Sequence, residues 1–226
     1  MRLPFTRFGL PQLLIFPLIV FLLMLALFFV LKPLRFLIPL EVLLFFVLIW
    51  MLSFFRDPAR EIVKDGKLLY SPADGTITDI SFVDDSALGP GALRIGMFLS
   101  IFNVHINRAP CDVRIEKVSY RKGQFRNAMS SEAGRINESN DILMVRLEDP
   151  ADSILVRQIS GAIARHIVCE AKEASEYSQG EPFGMIKFGS RTELYIPAGA
   201  EGKYEVAVKI GSPVRAGLTP LVRYMK

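Results

Sequence analysis

The sequence predicts a mainly β (α+β) protein, in which a β-sandwich or barrel domain follows a hydrophobic helical hairpin. Two observations carry this prediction. Apolar residues are 51% of the 226, and most of the excess lies before residue 56. After that point the chain changes to short β-type runs separated by Gly, Pro, Asp and Asn, a pattern typical of all-β domains. We therefore expect a hairpin at residues 1–56 and a second domain at residues 57–226.

The hairpin is predicted from two apolar runs. Residues 13–31 are apolar throughout, and residues 36–55 are interrupted only by Glu41 and Ser53. As a helix each run would be roughly 30 Å long, which matches the hydrocarbon thickness of a bilayer. The first run is too long for a signal peptide, and no small-residue cleavage site follows it. A re-entrant hairpin that does not cross the bilayer would give the same pattern.

Positive charges predict the orientation of this hairpin. More cations lie outside it (Arg2, Arg7, Arg56, Arg60 and Lys64) than in its connecting loop (Lys32 and Arg35). Because Lys and Arg are enriched on the cytoplasmic side of membrane segments, we expect both ends, and the domain that follows, on the cytoplasmic side of the cell (inner) membrane. The net charge of +4 is mild, and without a long basic run no nucleic-acid partner is expected.

The second domain is predicted to consist of short strands with little helix. The expected strands are residues 67–70, 76–82, 93–99, 114–120, 142–147, 154–160, 184–188, 193–196 and 204–210. A short helix is expected around residues 162–168. The spacing of Gly211, Pro213 and Gly217 in the closing segment resembles the hairpin of lipoyl- and biotinyl-type barrels. Cys111 and Cys169 have neither metal-ligand nor disulfide spacing, so we expect a reducing compartment and no metal site.

Two histidines occur in the chain, and their surroundings differ. His105, in MFLSIFNVHINRAP, lies among polar residues just after a predicted strand. Loops on a rigid scaffold often carry chemistry, and a histidine there could act as a general base near neutral pH. A surface-loop histidine without a role is the alternative. His166 lies in an apolar stretch, GAIARHIVC, and is predicted to be structural.

Two further residues are candidates for chemistry. Asp74, in YSPADGTI, fits a simple turn, but its carboxylate could also orient and charge a histidine, as in a nucleophile–base–acid triad. Ser190 follows Gly189 in KFGSRTELYIP. Gly-Ser is common in turns, yet a preceding glycine tolerates the strained backbone in which a serine hydroxyl attacks its own chain. A G-x-S-x-G elbow is lacking, which disfavours an ordinary serine hydrolase.

The segments SPADG, MFLSIFNVHINRAP and KFGSRTELYIP, in this order behind a membrane hairpin, resemble the short form of the phosphatidylserine decarboxylase family. The resemblance implies a proenzyme that cuts itself between Gly189 and Ser190, giving fragments 1–189 and 190–226 that stay associated. Ser190 would become a covalent pyruvoyl group, the cofactor that decarboxylates phosphatidylserine of the membrane to phosphatidylethanolamine. In this reading the hairpin tethers the enzyme to the bilayer that holds its substrate.

The resemblance also implies roles for individual residues. His105, oriented by Asp74, would take the proton of Ser190. Some longer members of the family carry a second histidine three residues after the first, where this chain has Arg108. An arginine stays protonated and cannot act as a base, so Arg108 could instead bind the substrate carboxylate or phosphate.

Two other functions fit parts of the sequence. A pyruvoyl decarboxylase of a free amino acid would use the same residues, although its substrate would give no reason for a membrane anchor. A membrane-anchored β-barrel adaptor without catalysis is suggested by the GSPVRAG segment alone. The sequence is equally compatible with ester or archaeal ether lipids, and with a monomer or a homo-oligomer.

Overall fold

The computed structural model describes residues 4–31, 33–130, 132–162, 166–187, 189–198 and 204–225. The chain divides into two compact units, Met1–Ala59 and Arg60–Lys226. The first unit contains two 21-residue helices, α1 (Leu10–Val30) and α2 (Leu34–Phe54), preceded by a 3-10 turn at Arg7–Gly9. The predicted helical hairpin is therefore present.

Both helices are long and apolar enough to cross a membrane, with mean hydropathies of 3.2 and 2.4. Their apolar side chains are largely exposed all round, as in Leu14, Phe29 and Phe46. A surface helix of a water-soluble unit would carry a polar face instead, so the surroundings of this hairpin are expected to be lipid. Backbone hydrogen bonds join the hairpin's two ends, from Thr6 N to Phe55 O at 2.9 Å.

The second unit is mainly β, as the sequence predicts, and among all the residues that the structure describes strand exceeds helix, 39% against 24%. Its described elements are β1 (Leu68–Tyr70), β2 (Gly75–Asp85), β3 (Gly89–Leu99), β4 (Ile106–Arg108), β5 (Val113–Arg121), α3 (Ala133–Ile136), β6 (Ser139–Arg146), β7 (Ser153–Ile159), β8 (Ile167–Cys169), β9 (Glu176–Tyr177), β10 (Pro182–Ile186), β11 (Ser190–Ile196), β12 (Tyr204–Val206), β13 (Pro213–Val214) and β14 (Pro220–Tyr224).

The strands form three antiparallel sheets around one core. The largest has the order β13-β2-β3-β11-β7-β6-β5-β9, and two three-stranded sheets have the orders β1-β14-β12 and β4-β10-β8. All three sheets contribute to a single apolar cluster, for example through Leu194 of β11, Phe183 of β10 and Val222 of β14. Strand β11 lies in the middle of the largest sheet, between β3 and β7, and all seven of its residues are buried.

The structure differs from the sequence prediction at the shortest strands. The prediction lacks β4, β8, β9, β13 and β14, which have two to five residues each and are too short to show a period-2 pattern. The helix expected around residues 162–168 falls partly outside the described residues, at 163–165. Its expected end is strand instead, because Ile167 pairs with Ile186 of β10.

The closing segment is not the expected hairpin. Its two strands, β13 and β14, do not pair with each other: β13 pairs with β2, while β14 pairs with β1 and β12. The left-handed φ of +88° at Gly211 and +72° at Gly217 turns the chain between these separate sheets.

Candidate active site

The fold brings two distant segments of the chain together around residue 190. Ser190 is the first residue of β11 and pairs with Leu99, the last residue of β3. The loop that leaves β3 leads through His105 into β4, and β4 pairs with β10, which precedes Gly189. Strand β3 pairs with β11, and β4 pairs with β10. These pairings bring His105 and Ser190, which are 85 positions apart in the sequence, to the same place.

His105 is fully buried and is held on three sides. Its Nδ1 lies 2.9 Å from the backbone O of Asn103, and its Nε2 accepts a 3.3 Å hydrogen bond from the Gly189 N–H. Its own backbone O accepts from the Ile186 N–H at 3.2 Å. These contacts correspond to a neutral imidazole with its proton on Nδ1 and a lone pair on Nε2. That lone pair faces the chain immediately before Ser190.

Gly189 has the uncommon backbone shape that the sequence suggested. Its φ is +72°, a left-handed value that residues with side chains rarely adopt. Space is not the reason for the glycine, because the nearest atom to an added Cβ would be Ile101 Cγ2 at 3.6 Å. The carbonyl oxygen of Gly189 packs against Gly161, where an added Cβ would lie only 2.3 Å from it.

The hydroxyl of Ser190 is available for chemistry. Ser190 is fully buried, and its Oγ has no hydrogen-bond partner among the residues that the structure describes. Most buried hydroxyls are paired, although Ser139 and Ser160 share this property. What distinguishes Ser190 is its position one peptide away from the Nε2 lone pair of His105.

A row of buried amide and hydroxyl groups, which sequence reasoning missed, fixes β4 to the main sheet. Asn107 Nδ2 donates to Thr192 Oγ1 at 2.9 Å, and Gln158 Nε2 donates to Asn107 Oδ1 at 2.9 Å. All three side chains are fully buried. Since Asn107 is two residues after His105 and Thr192 is two residues after Ser190, these bonds help to set the spacing between His105 and Ser190. Each of these segments has polar residues two positions apart (His105 and Asn107, Ser190 and Thr192, Gln158 and Ser160), but Arg191 and Glu193 hide this alternation in β11.

The contacts of Asp74 are not those of a triad, in which its carboxylate would accept a hydrogen bond from Nδ1 of the histidine. Its carboxylate pairs with Arg60 at 2.8 Å and accepts from the Ala216 N–H at 2.8 Å. In the described structure the hydrogen-bond partner of His105 Nδ1 is instead the backbone O of Asn103. The sequence predicts Arg60 as a cation flanking the membrane segment. Its side chain is only 4% exposed, because it is buried in the ion pair with Asp74.

Arg108 is also buried, at 2% exposure, and its guanidinium donates to the Gly180 O at 2.9 Å. Side chains at odd spacing along an extended strand point to opposite faces. Arg108 therefore lies on the face of β4 opposite to the one that His105 and Asn107 share.

Charge is buried on both sides of the Gly189–Ser190 peptide. Lys187 is 5% exposed, and desolvation of its ammonium group lowers its pKa. Arg191 is fully buried, and its guanidinium binds Glu193 Oε1 at 2.7 Å, Thr78 Oγ1 at 2.7 Å and the carboxylate of Asp79. These bonds tie the strand that begins at Ser190 to β2.

The remaining candidate groups lie apart from this arrangement. Burial raises the pKa of the Cys111 thiol to about 12, so it is protonated at neutral pH and a poor nucleophile. His166 is exposed. In the described part of the chain, no group of three or more His, Cys, Asp or Glu side chains is placed to hold a metal ion.

We expect Gly161→Ala to slow any reaction at the Gly189 carbonyl. The added methyl would collide with that oxygen and shift it, and a displacement of about 1 Å can lower a rate about 100-fold. The rate of chain cleavage after cell-free synthesis, followed on denaturing gels, measures the effect. Gly66→Ala is the matched control, because its Cβ would meet only the movable end of Glu148. Equal cleavage rates in both variants would contradict the assigned role of Gly161.

Comparison with known proteins gives concordant matches over most of the chain. The family model described as phosphatidylserine decarboxylase matches residues 47–221. The phosphatidylserine decarboxylase proenzyme of Rhodopirellula baltica is 40% identical over 99% of this chain and 90% of its own length. The proenzyme of the same name from Carboxydothermus hydrogenoformans is 42% identical over 81% of this chain and 84% of its own length. Residues His105, Gly189 and Ser190 all lie within the region that the family model matches.

Proposed function

Because this chain belongs to the phosphatidylserine decarboxylase family, we propose that it converts phosphatidylserine to phosphatidylethanolamine with a pyruvoyl group made from its own Ser190. The observation that carries the proposal is the position of a buried Ser190 hydroxyl, without a partner in the described structure, next to a glycine with φ of +72° whose N–H donates to the Nε2 of His105. A nucleophile, a base and a permissive backbone are the three requirements of self-cleavage at Gly189–Ser190.

The proposed cleavage uses residues of this chain alone. Nε2 of His105 exchanges its contact with the Gly189 N–H for the Ser190 hydroxyl and takes its proton, while Oγ attacks the Gly189 carbonyl carbon. The Gly189–Ser190 C–N bond breaks and the nitrogen regains a proton, leaving an ester. Removal of the Ser190 α-proton then breaks the Cβ–Oγ bond, which frees the Gly189 carboxylate. Addition of water and loss of ammonia convert residue 190 into a ketone at the start of fragment 190–226.

The site fits such a group, since residue 190 is enclosed and its backbone is fixed by the pairing of β11 with β3. A pyruvoyl ketone supplies an electron sink for the pair released as carbon dioxide leaves. Fragments 1–189 and 190–226 would remain associated, because β11 pairs with β3 and β7 of the larger fragment.

Two residues have less direct parts in this proposal. Asp74 would support His105 indirectly, by its bonds to Arg60 and Ala216, which hold the 71–75 turn in place. Arg108 is the proposed cation for the substrate carboxylate or phosphate. This role requires it to release the Gly180 carbonyl and to leave the face of β4 opposite to His105.

The hairpin is the basis for the proposed location of the enzyme. Its two apolar helices would anchor the enzyme in the cell (inner) membrane, and the excess of Lys and Arg at its ends favours a cytoplasmic second unit. The substrate is itself a lipid, so tethering raises its effective concentration at the site.

His105→Ala is expected to leave the precursor uncut, or to slow cutting at least about 100-fold, because general base catalysis is lost. His105→Gln should fail equally, since glutamine can hydrogen-bond but cannot take the proton. Denaturing gels that resolve fragment 190–226 give the measurement. His166→Ala, which changes the other histidine, should cut normally, and normal cutting by the His105 variants would remove the assigned role of His105.

Product analysis separates the proposal from the two other functions. The protein in vesicles should release carbon dioxide from phosphatidylserine and accumulate phosphatidylethanolamine. A decarboxylase of free amino acids would be cut but inactive on the lipid, while an adaptor would stay whole. An intact, lipid-inactive chain would overturn the proposal.

A further inference from the structure

An exposed aromatic side chain projects from the loop that leads to His105. Phe102 is 69% exposed, at the tip of the turn formed by residues 100–103. The turn is closed by Asn103, whose Oδ1 accepts from both the Ser100 N–H and the Ser100 hydroxyl at 2.8 Å. The same residue's backbone O holds Nδ1 of His105. Phe102 is therefore presented by a hydrogen-bonded turn that is continuous with the base.

A second exposed segment, residues 121–130, combines positive charge with apolar side chains. Its sequence, RKGQFRNAMS, holds three cations and no Asp or Glu. The cations are Arg121, Lys122 and Arg126, all exposed, and Met129 is 57% exposed. Surfaces with this composition are typical of proteins that lie on anionic bilayers.

Both segments approach Gly189, one directly and one through Gly161. Ile101, beside Phe102, is the nearest neighbour of the Gly189 Cβ position, at 3.6 Å. Ala128, beside Met129, lies 3.2 Å from the Cβ position of Gly161, the residue that packs against the Gly189 oxygen. The exposed apolar and basic groups thus belong to two segments that both approach Gly189.

We propose that residues 100–103 and 121–130 form the face by which the second unit rests on an anionic bilayer. We call it the interfacial face. Phe102 and Met129 enter the boundary between head groups and acyl chains, and the three cations contact lipid phosphates. The choice of a lipid partner rests on the proposed function, and the charge of the segment supports it independently.

The physical argument concerns how a bilayer lipid reaches an enclosed residue. Its reacting carboxylate and amine lie in the head group, and withdrawing the whole lipid would expose its acyl chains to water. The reaction therefore needs the site to open against the head-group layer. Since both segments lie beside Gly189, their contact with the bilayer would bring the head group to residue 190 while the acyl chains stay in the membrane.

Tryptophan fluorescence in vesicles tests the contact directly. The chain has one tryptophan, Trp50, so the full-length Trp50→Phe/Phe102→Trp variant reports on position 102 alone. In vesicles that contain phosphatidylserine and lipids brominated near the head group, we expect at least a twofold loss of its emission. The matched control is Trp50→Phe/Phe82→Trp. Phe82 is also exposed, at 60%, but it pairs with Leu93, six residues from the end of β3 and so about 20 Å from the site.

Equal emission with and without bromine at position 102 would overturn the proposal, as would equal quenching of both variants. If the emission at position 102 instead changed with protein concentration and not with bromine, the face would be a contact between copies of the chain. Quenching requires no catalysis, so it can succeed even where lipid decarboxylation fails.

An activity measurement provides a second test of the interfacial face. Phe102→Ser and Met129→Ser should lower turnover of bilayer phosphatidylserine about tenfold, leaving turnover of short-chain phosphatidylserine dissolved as monomers, and self-cleavage, unchanged. Phe82→Ser should change neither. Equal losses on bilayer and dissolved substrate would show that the two residues act on the site itself and would contradict the interfacial role.

Discussion

A Ser190→Ala chain is expected to run as a single uncut polypeptide of 226 residues, whereas the unchanged chain is expected to give fragments 1–189 and 190–226. Alanine keeps the backbone and most of the buried volume but removes the Oγ that must attack Gly189. Because this Oγ is the proposed nucleophile, we expect complete loss of cleavage and of decarboxylation rather than a slower rate. Denaturing electrophoresis of the purified protein gives the answer.

Ser139→Ala is the control for this experiment. Ser139 is likewise fully buried, and its Oγ likewise has no hydrogen-bond partner in the described part of the chain, but it lies on β6 and not beside His105. This variant should cut normally. Cleavage that persisted between residues 189 and 190 in Ser190→Ala would refute the proposed mechanism.

Arg191→Met is expected to have the largest effect on stability. The guanidinium is fully buried between Glu193 and Asp79, and the Glu193 side chain is itself fully buried. Burial alone would lower the pKa of Arg191, but Glu193 and Asp79 hold it above its ordinary value. Removing the cation takes the ion pair away from the fully buried Glu193 carboxylate, whereas Asp79 keeps its pairing with Arg94. Breaking such a buried pair lowers the free energy of unfolding by about 3–5 kcal/mol.

Urea unfolding in detergent, followed by circular dichroism, measures this loss. It is best done in the uncut Ser190→Ala background, so that every sample is one chain. Lys64→Met makes the same change at an exposed pair, Lys64–Asp112, where the lysine side chain is 59% exposed. That variant should lose only about 0–1 kcal/mol. Similar losses in the two variants would show that the Arg191 network does not hold β11 in place.

The long, strongly patterned elements were predictable from the sequence. The apolar runs became α1 and α2, and the strands expected at 76–82, 93–99 and 114–120 became β2, β3 and β5. The expected strand at 193–196 begins earlier, at Ser190. Its first residues resemble a turn because Gly189 and Arg191 interrupt the apolar pattern. Arg191 is nevertheless accommodated within the sheet by the carboxylates of Asp79, on β2, and of Glu193, on its own strand.

The candidate site was only partly predictable from the sequence. Ser190, Gly189 and His105 occur in motifs, and the structure brings them together. The hydrogen-bond and ion-pair partners of Asp74 could not be predicted from the sequence, because its contacts with Arg60 and Ala216 depend on the tertiary fold. Nor could the sequence show that Gly161 packs against the Gly189 carbonyl. A glycine chosen for a close backbone contact looks the same in a sequence as a glycine in a loop.

The most direct test of the central claim is the intact mass of the purified active protein, measured before and after borohydride. We expect two fragments, with the fragment 190–226 starting in a ketone and gaining the mass of added hydrogen on reduction. An active preparation that shows one mass for the whole chain, unchanged by borohydride, would contradict the account.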